Sequence, residues 1–456
     1  MHWPADNPVE NGENEMGILK SFARGLGLFL LVVAGVGAWL ASPWYVLAML
    51  VVVFALWLLL TRRGHQAGSV TQVGLSTLTQ RIGASSVIVI GIAGVVAVLV
   101  AMLAMAEGYR ETLRASGGED SAIVLRGASA AEVMSTLDHD SVNVIGQAPG
   151  IARDAQNRPL VSPELVVAAN LPIKGGKPGE DGSVQLRGIG EAAWAVRPNV
   201  KVVAGRKFAS GRRELMAGTG AQRQFIGLQP GREIKLGAQT WVVAGIFHSG
   251  DAMDSELWAD AEVVATTYRR GSSRTSVTAK LTGAKAFKGF KAALDGDPRL
   301  DVDANTTLAY FSKQSEGMTK VIRIIGIVVG AIMALGAVFG ALNTMFATVA
   351  TRAREIATLR AIGFRGVPVV VAVMLETMLL ALLGGLIGGL IAWLIFNGYT
   401  ASTIAGGVGQ LTFEFKVSPA VLWTGIKWAL AIGFVGGLFP ALRAARLPVT
   451  EALRAA

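Results

Sequence analysis

Residues 351–366 read TRAREIATLRAIGFRG and lie between two long apolar runs. The stretch is short, basic and helix-like. Ile356, Leu359 and Ile362 recur at a spacing that gives a helix one apolar side. Arg352 and Glu355 are three residues apart and can pair on the other side. Gly363 is a helix stop, and Pro368 opens the next helix. The predicted element is a small amphipathic helix on the cytoplasmic surface of a membrane, placed where another protein can push it.

The rest of the chain supports a membrane setting. Of its 456 residues, 52% are hydrophobic and only 16% charged. A typical soluble domain has about 25% charged residues. The formal charge is +10. The Lys and Arg flank apolar segments and form no dense patch with interleaved aromatics, which argues against nucleic acid. The chain has no cysteine, so disulfides, thiolate metal sites and cysteine nucleophiles are excluded.

Working outward from 351–366, six spans are expected. Residues 1–24 form a polar cytoplasmic tail. Residues 25–63 hold two apolar runs, 25–41 and 44–60, joined at Ser42-Pro43. Each is near the minimum for a span, about 17 residues, and together they read as a transmembrane hairpin. Residues 64–81 are a cytoplasmic linker ending in an amphipathic helix. Residues 82–114 are a third span with a polar continuation beyond the bilayer. Residues 306–350 are a stalk leading into a fourth span, 367–396 a fifth and 419–439 a sixth. A Gly-rich outer loop, 397–418, joins the last two, and 440–456 is a cytoplasmic C-terminus. The charges agree. Lys20, Arg24, Arg62, Arg63, Arg81, Arg352, Arg354, Arg360, Arg365, Arg443, Arg446 and Arg454 fall on the cytoplasmic side, and the short outer loops carry only Lys416. Both termini are therefore expected inside.

Residues 115–305 are the one large region outside the membrane. Short β-like pieces (122–125, 200–204, 233–236, 240–246) alternate with Gly-rich turns, and helix-like pieces fall at 130–137, 259–268 and 284–294. The fold class is an α-helical membrane protein with six spans plus a large α+β extracytoplasmic domain.

Within the spans, Glu376 is the one carboxylate well inside an apolar run. A buried ionisable group there is a functional candidate, or else it pairs with an arginine of 351–366. Gly384, Gly385, Gly388 and Gly389 make flat stripes for close helix packing, inside one subunit or between two. The search for chemistry finds no catalytic and no metal-binding residues. Asp138-His139-Asp140 and His248-Ser249-Gly250-Asp251 lack the spacing of a metal site or nucleophile elbow and read as solvated turns. No G-x-x-x-x-G-K-[ST] occurs, so any driving ATP is bound by another polypeptide.

Arg352, Arg354, Glu355, Ile356, Leu359, Arg360, Ala361 and Gly363 resemble the R-x-R-E-I-x-x-L-R-A-x-G coupling segment of FtsX-like/MacB-type ABC transporter permeases. The C-terminal Pro440, Ala441, Ala444, Ala445, Pro448, Ala452, Leu453 and Arg454 resemble that family's ending. The resemblance covers about residue 75 onward. It implies a permease subunit, with no enzyme site and no cofactor of its own, in a bacterial inner membrane. Its partners would be a separate cytoplasmic ATPase holding ATP and Mg²⁺, a second permease, and a periplasmic adaptor with an outer-membrane channel. ATP-driven motion would be passed to the periplasmic domain to move a lipoprotein, lipid, peptide or drug. The alternative is an activator permease that switches a periplasmic partner such as a cell-wall hydrolase without transport. The family core has four spans, so the 25–63 hairpin is an addition.

Overall fold

The structure is a computed structural model that describes residues 27, 30–32, 34–76, 82–177, 179–405 and 409–446. The expected tail, 1–24, and the end of the C-terminal motif, 447–456, lie outside the described residues. The chain divides into two compact units. A helical unit comprises the chain up to Ala101, Gly326–Ile395 and the chain from Val417. An α+β unit comprises Met102–Ile325 and Phe396–Lys416.

The helical unit opens with α1 (Leu30–Ala41) and α2 (Trp44–Leu60), bent by 111° at Ser42-Pro43. Pro43 supplies the extended N-cap of α2, as the sequence implies. The expectation of two full spans here is not borne out by the described residues. The bend falls well short of an antiparallel hairpin, and the described part of α1 is shorter than a bilayer needs, while α2, with 17 residues, is at the minimum. Next comes α3 (Arg62–Ser76), directly after α2. Most of the expected linker is therefore helix, and residues 77–81 lie outside the described set. Then α4 (Ile82–Ala115) runs 34 residues without a break.

The α+β unit is built on one ten-stranded sheet. In chain order its elements are β1 (Ser121–Arg126), α5 (His139–Gly146), β2 (Val161–Pro172), β3 (Asp181–Ile189), α6 (Ala192–Val196), β4 (Lys201–Gly205), β5 (Glu214–Gly218), α7 (Thr219–Gln224), β6 (Glu233–Leu236), β7 (Gln239–His248), β8 (Leu257–Asp260), α8 (Ala261–Thr267), β9 (Ser276–Lys280), α9 (Ala286–Asp295) and β10 (Val302–Thr306). The sheet order is β10-β1-β9-β2-β3-β8-β5-β7-β4, with β6 added on β7. Pairs β3–β8 and β5–β7 are parallel and the rest antiparallel. The β6–β7 hairpin turns at Gly237, whose φ of +60° an ordinary residue rarely adopts. Three apolar clusters pack on the sheet, one of them around Tyr109, Phe247 and Trp258. Val124, Ile145, Val277 and Phe290 form a second, with α5 and α9 over it, and Leu186, Leu215, Trp241 and Val264 form the third. The helix expected at 130–137 is a single 3₁₀ turn, Glu132–Met134. Glu132 is drawn inward to a buried arginine, and this tertiary pull overrides local helix propensity.

Helix α10 (Thr307–Thr351), 45 residues long, begins in the α+β unit and enters the helical unit at Gly326. At 1.5 Å per residue α10 measures about 67 Å, against a hydrocarbon core of about 30 Å. It is followed by α11 (Ala353–Ala361), α12 (Gly366–Phe396), β11 (Thr400–Ala405), β12 (Gly409–Glu414) and α13 (Pro419–Arg446). The expected Gly-rich loop at 397–418 is thus a β-hairpin belonging to the α+β unit. Leu411 and Phe413 anchor it in the core, Phe413 edge-on to Tyr109 at 5.5 Å. The last helix does not stop at residue 439. It runs through Pro440 to Arg446. Among the described residues, α4, α10, α12 and α13 are long and apolar enough to cross a membrane, which bears out four of the expected six spans, and the bent α1–α2 pair counts at most as a fifth.

Candidate functional site

The helix is interrupted between α10 and α11 at a single residue, Arg352. The turn after α11 passes through Gly363 at φ +108°, where the Gly363 N–H reaches Arg360 O and Phe364 N–H reaches Leu359 O. Only glycine adopts that conformation without strain, so the helix ends where the sequence places its stop. Glu355 sits in the first turn and Arg360 in the last, each favoured by the helix dipole.

Arg352 is turned inward. It is 9% exposed and Glu376 of α12 is 6% exposed. Arg352 Nη1 donates to Glu376 Oε2 at 2.9 Å and Arg352 Nε to Glu355 Oε2 at 3.1 Å. Of the two readings of Glu376, the pair with an arginine of 351–366 is the one the geometry contains. Ile356 is buried beside this pair and Leu359 half-buried, while Arg354 is exposed. Ile362 departs from the expected apolar side. It is 70% exposed, because it lies past the last helical residue and no longer follows the helical repeat.

Helix α3 covers the pair from a third direction. A Cβ on Gly74 would stand 3.3 Å from Arg352 Nη2 and 3.4 Å from Glu376 Oε2. Val70, Val73 and Gly74 line the same small space as Ile356 and Val373. Sequence reading did not anticipate this contact. The signal was present in the V-x-x-V-G spacing of 70–74, which puts small and apolar residues on one helical face.

The four glycines of α12 divide between two neighbours within the chain. Gly384 and Gly388 face the backbone carbonyls of Val89 and Ala93 in α4, and Gly385 and Gly389 face Ala429 and Leu422 of α13. Helix axes approach closely there because no side chain intervenes.

In the α+β unit the sequence reading missed Arg187. Only 1% exposed, it bonds Glu132, Glu164 and Glu256 at 2.7–3.0 Å. Arg197 adds a second guanidinium to Glu164. Burial alone would raise the Glu164 carboxyl, but the charges of Arg197 and Arg187 outweigh it and hold it below the usual range. The clue was a lone Arg in the alternating strand SVQLRGI. An adjoining cleft of about 300 Å³ is lined by Asp120, Arg197, Asp251 and Lys280. Lys280 pairs with Asp120 at 2.7 Å. The two histidine motifs are not both solvated turns. Asp138 caps α5 through the Ser141 N–H, and Asp251 is buried, which pushes its carboxyl up. His248 Nδ1 lies 2.8 Å from Asp254 Oδ2 on a partly exposed edge.

Comparison with protein families assigns both units. The model described as FtsX-like permease C-terminal matches residues 327–449, and the MacB-like periplasmic core domain matches residues 84–296. The chain belongs to the FtsX/MacB-type ABC transporter permeases. The α11 segment and its flanking helices fall in the FtsX-like match, and the Arg187 cluster falls in the MacB-like match. This makes the protein a membrane-spanning ABC permease subunit, of a family that works with a partner ATPase and in dimeric assembly. Among solved structures, the chain is similar to the extracellular domain of the noncanonic ABC-type transporter YknZ from Gram-positive bacteria. That match has 16% identity and a TM-score of 0.31, covering 41% of this chain and 100% of that one. It is also similar to the periplasmic region of MacB from Actinobacillus actinomycetemcomitans, with 16% identity and a TM-score of 0.33, covering 46% and 96%. Comparison with curated proteins finds no match.

Proposed function

We propose that this FtsX/MacB-type permease converts ATP-driven closure of a separate cytoplasmic ATPase into motion of its α+β unit, which moves a lipoprotein, lipid, peptide or drug-like substrate in the periplasm. ATP and Mg²⁺ are held by the ATPase, and the permease works as a pair with a second permease. Helix α11 is the docking element, with Arg354, Arg360 and the exposed Ile362 offered to the ATPase. Both termini are cytoplasmic, α1 and α2 together form one additional bent element inserted in the membrane, and an adaptor with an outer-membrane channel takes the substrate onward.

The observation that carries this reading is the Arg352–Glu376 pair. It ties the docking helix to the next membrane helix by a buried, charge-assisted bond, so displacement of α11 is not absorbed in a loose loop. The unbroken α10 and α4 support the same reading. Each contributes residues to both units, and a continuous helix resists bending.

The test is ATP hydrolysis by the complex that co-purifies with the tagged full-length protein in nanodiscs, comparing wild type with Arg354→Glu/Arg360→Glu. Co-purifying ATPase activity that the double variant loses supports the reading. A folded wild-type permease that brings down no ATPase overturns it.

A further inference from the structure

An apolar groove of about 470 Å³ runs between α1, α12 and α13 in the helical unit. Leu31, Gly35 and Trp39 form one wall, and Met378, Phe434 and Leu438 the other. At one end of the groove stands a cation. Trp39 Nε1 donates to Lys427 O at 3.0 Å, and Lys427 Nζ donates to Leu40 O at 2.5 Å and to Ser42 O at 3.4 Å. Lys427 is half-buried, and among the described residues no carboxylate pairs with it.

The position makes that unpaired charge informative. Lys427 lies inside a membrane helix, about 12 Å along from Pro419 at 1.5 Å per residue. A lysine within a span is costly unless it is paired or reaches the interface. The two carbonyls satisfy hydrogen bonds but bring no negative charge, and an ammonium has a third donor to offer. Beginning one turn beyond Lys427, the groove follows α13 from Leu430 to Phe439 for about 14 Å, close to the depth of one leaflet of a ~30 Å hydrocarbon core. Its apolar walls have nothing to offer a polar occupant along that length.

We propose that this groove binds one acyl chain of an anionic phospholipid, with the lipid phosphate against Lys427. The chain fills the space beside Gly35, where a Cβ would meet no atom within 4 Å. A choline headgroup would bring a second cation to Lys427, so an anionic headgroup is preferred. The site gives the N-terminal α1–α2 addition a role. α1 is held to α13 by the Lys427 and Trp39 bonds at one end and by a shared lipid chain along the rest.

The experiment uses the full-length protein in nanodiscs with spin-labelled phosphatidylglycerol, and phosphatidylcholine of the same chains as comparison. Wild type should immobilise phosphatidylglycerol with about fivefold preference, the size expected for one lysine near an anionic headgroup. Lys427→Met should lose the preference, and Lys427→Arg should keep it. Gly35→Phe should fill the groove and lower the immobilised fraction of both lipids, with unchanged thermal melting. Equal immobilisation of the two lipids by wild type overturns the proposal. So does a Gly35→Phe protein that holds phosphatidylglycerol as wild type does.

Discussion

Arg352 and Glu376 are 24 residues apart in sequence and 2.9 Å apart in space, joining the start of α11 to the membrane helix α12. Both are nearly buried. A buried pair of this kind contributes little net stability, because each ion is stripped of water. Removing one partner is another matter, since without Glu376 the buried Arg352 keeps only the half-exposed Glu355.

Glu376→Gln is therefore expected to lower the stability of the helical unit by about 3–5 kcal/mol and to uncouple ATP hydrolysis from substrate movement. Thermal unfolding and transport-linked ATPase assays check this. Arg352→Glu/Glu376→Arg should restore part of the coupling. A Glu376→Gln protein with wild-type coupling would show that the pair does not transmit motion.

Gly74→Leu should separate coupling from assembly. The new side chain would enter the 3.3–3.4 Å space over the Arg352–Glu376 pair and displace the guanidinium. The ATPase should still co-purify, with its substrate stimulation reduced several-fold. Gly74→Ala should be milder, because a single methyl asks the arginine to shift by only a few tenths of an ångström.

Arg187→Met should be among the most damaging substitutions in the α+β unit. It leaves Glu132 and Glu256 without their guanidinium and Glu164 with Arg197 alone. A loss of roughly 3–5 kcal/mol is expected, read as faster hydrogen exchange in β2, β3 and β8 of the full-length protein. Arg187→Lys should restore little, because one ammonium cannot bond three carboxylates in the guanidinium plane.

The acid limb of stability should report Glu214. The hydrogen bonds from Arg206 lower its carboxyl from 4.5 to about 2, against burial, which raises it. A carboxyl depressed on folding stabilises fully above its unfolded value and loses that contribution as pH falls through the folded one. The melting temperature of the α+β unit should hold down to about pH 5 and decline from there toward pH 2. Glu214→Gln should flatten that decline, and a wild-type curve that rises on acidification would contradict the assignment. The effect is modest because Arg206 is more than half exposed.

Much of this architecture could be read from the chain because a membrane writes its demands locally. Uninterrupted apolar length marks α4, α10, α12 and α13, and flanking arginines mark their ends. The TRAREIATLRAIGFRG stretch declares its helix and its Gly363 stop through neighbours a few residues apart. The 233–236 and 240–246 strands were legible for the same reason, since a two-residue turn and alternation are short-range signals.

The sequence by itself determined the membrane helices, the short amphipathic helix α11 between two of them, and the presence of an α+β domain, because periodicity and apolar length act between near neighbours. Tertiary structure alone decided which charges meet. Arg352 finds Glu376 and Gly74, Arg187 gathers carboxylates from three separate segments, and the 400–414 hairpin joins the α+β core through Leu411 and Phe413. Such partners are chosen by where folding brings buried groups together. A charge cut off from water must find its counter-charge across space, however far away that residue lies along the chain.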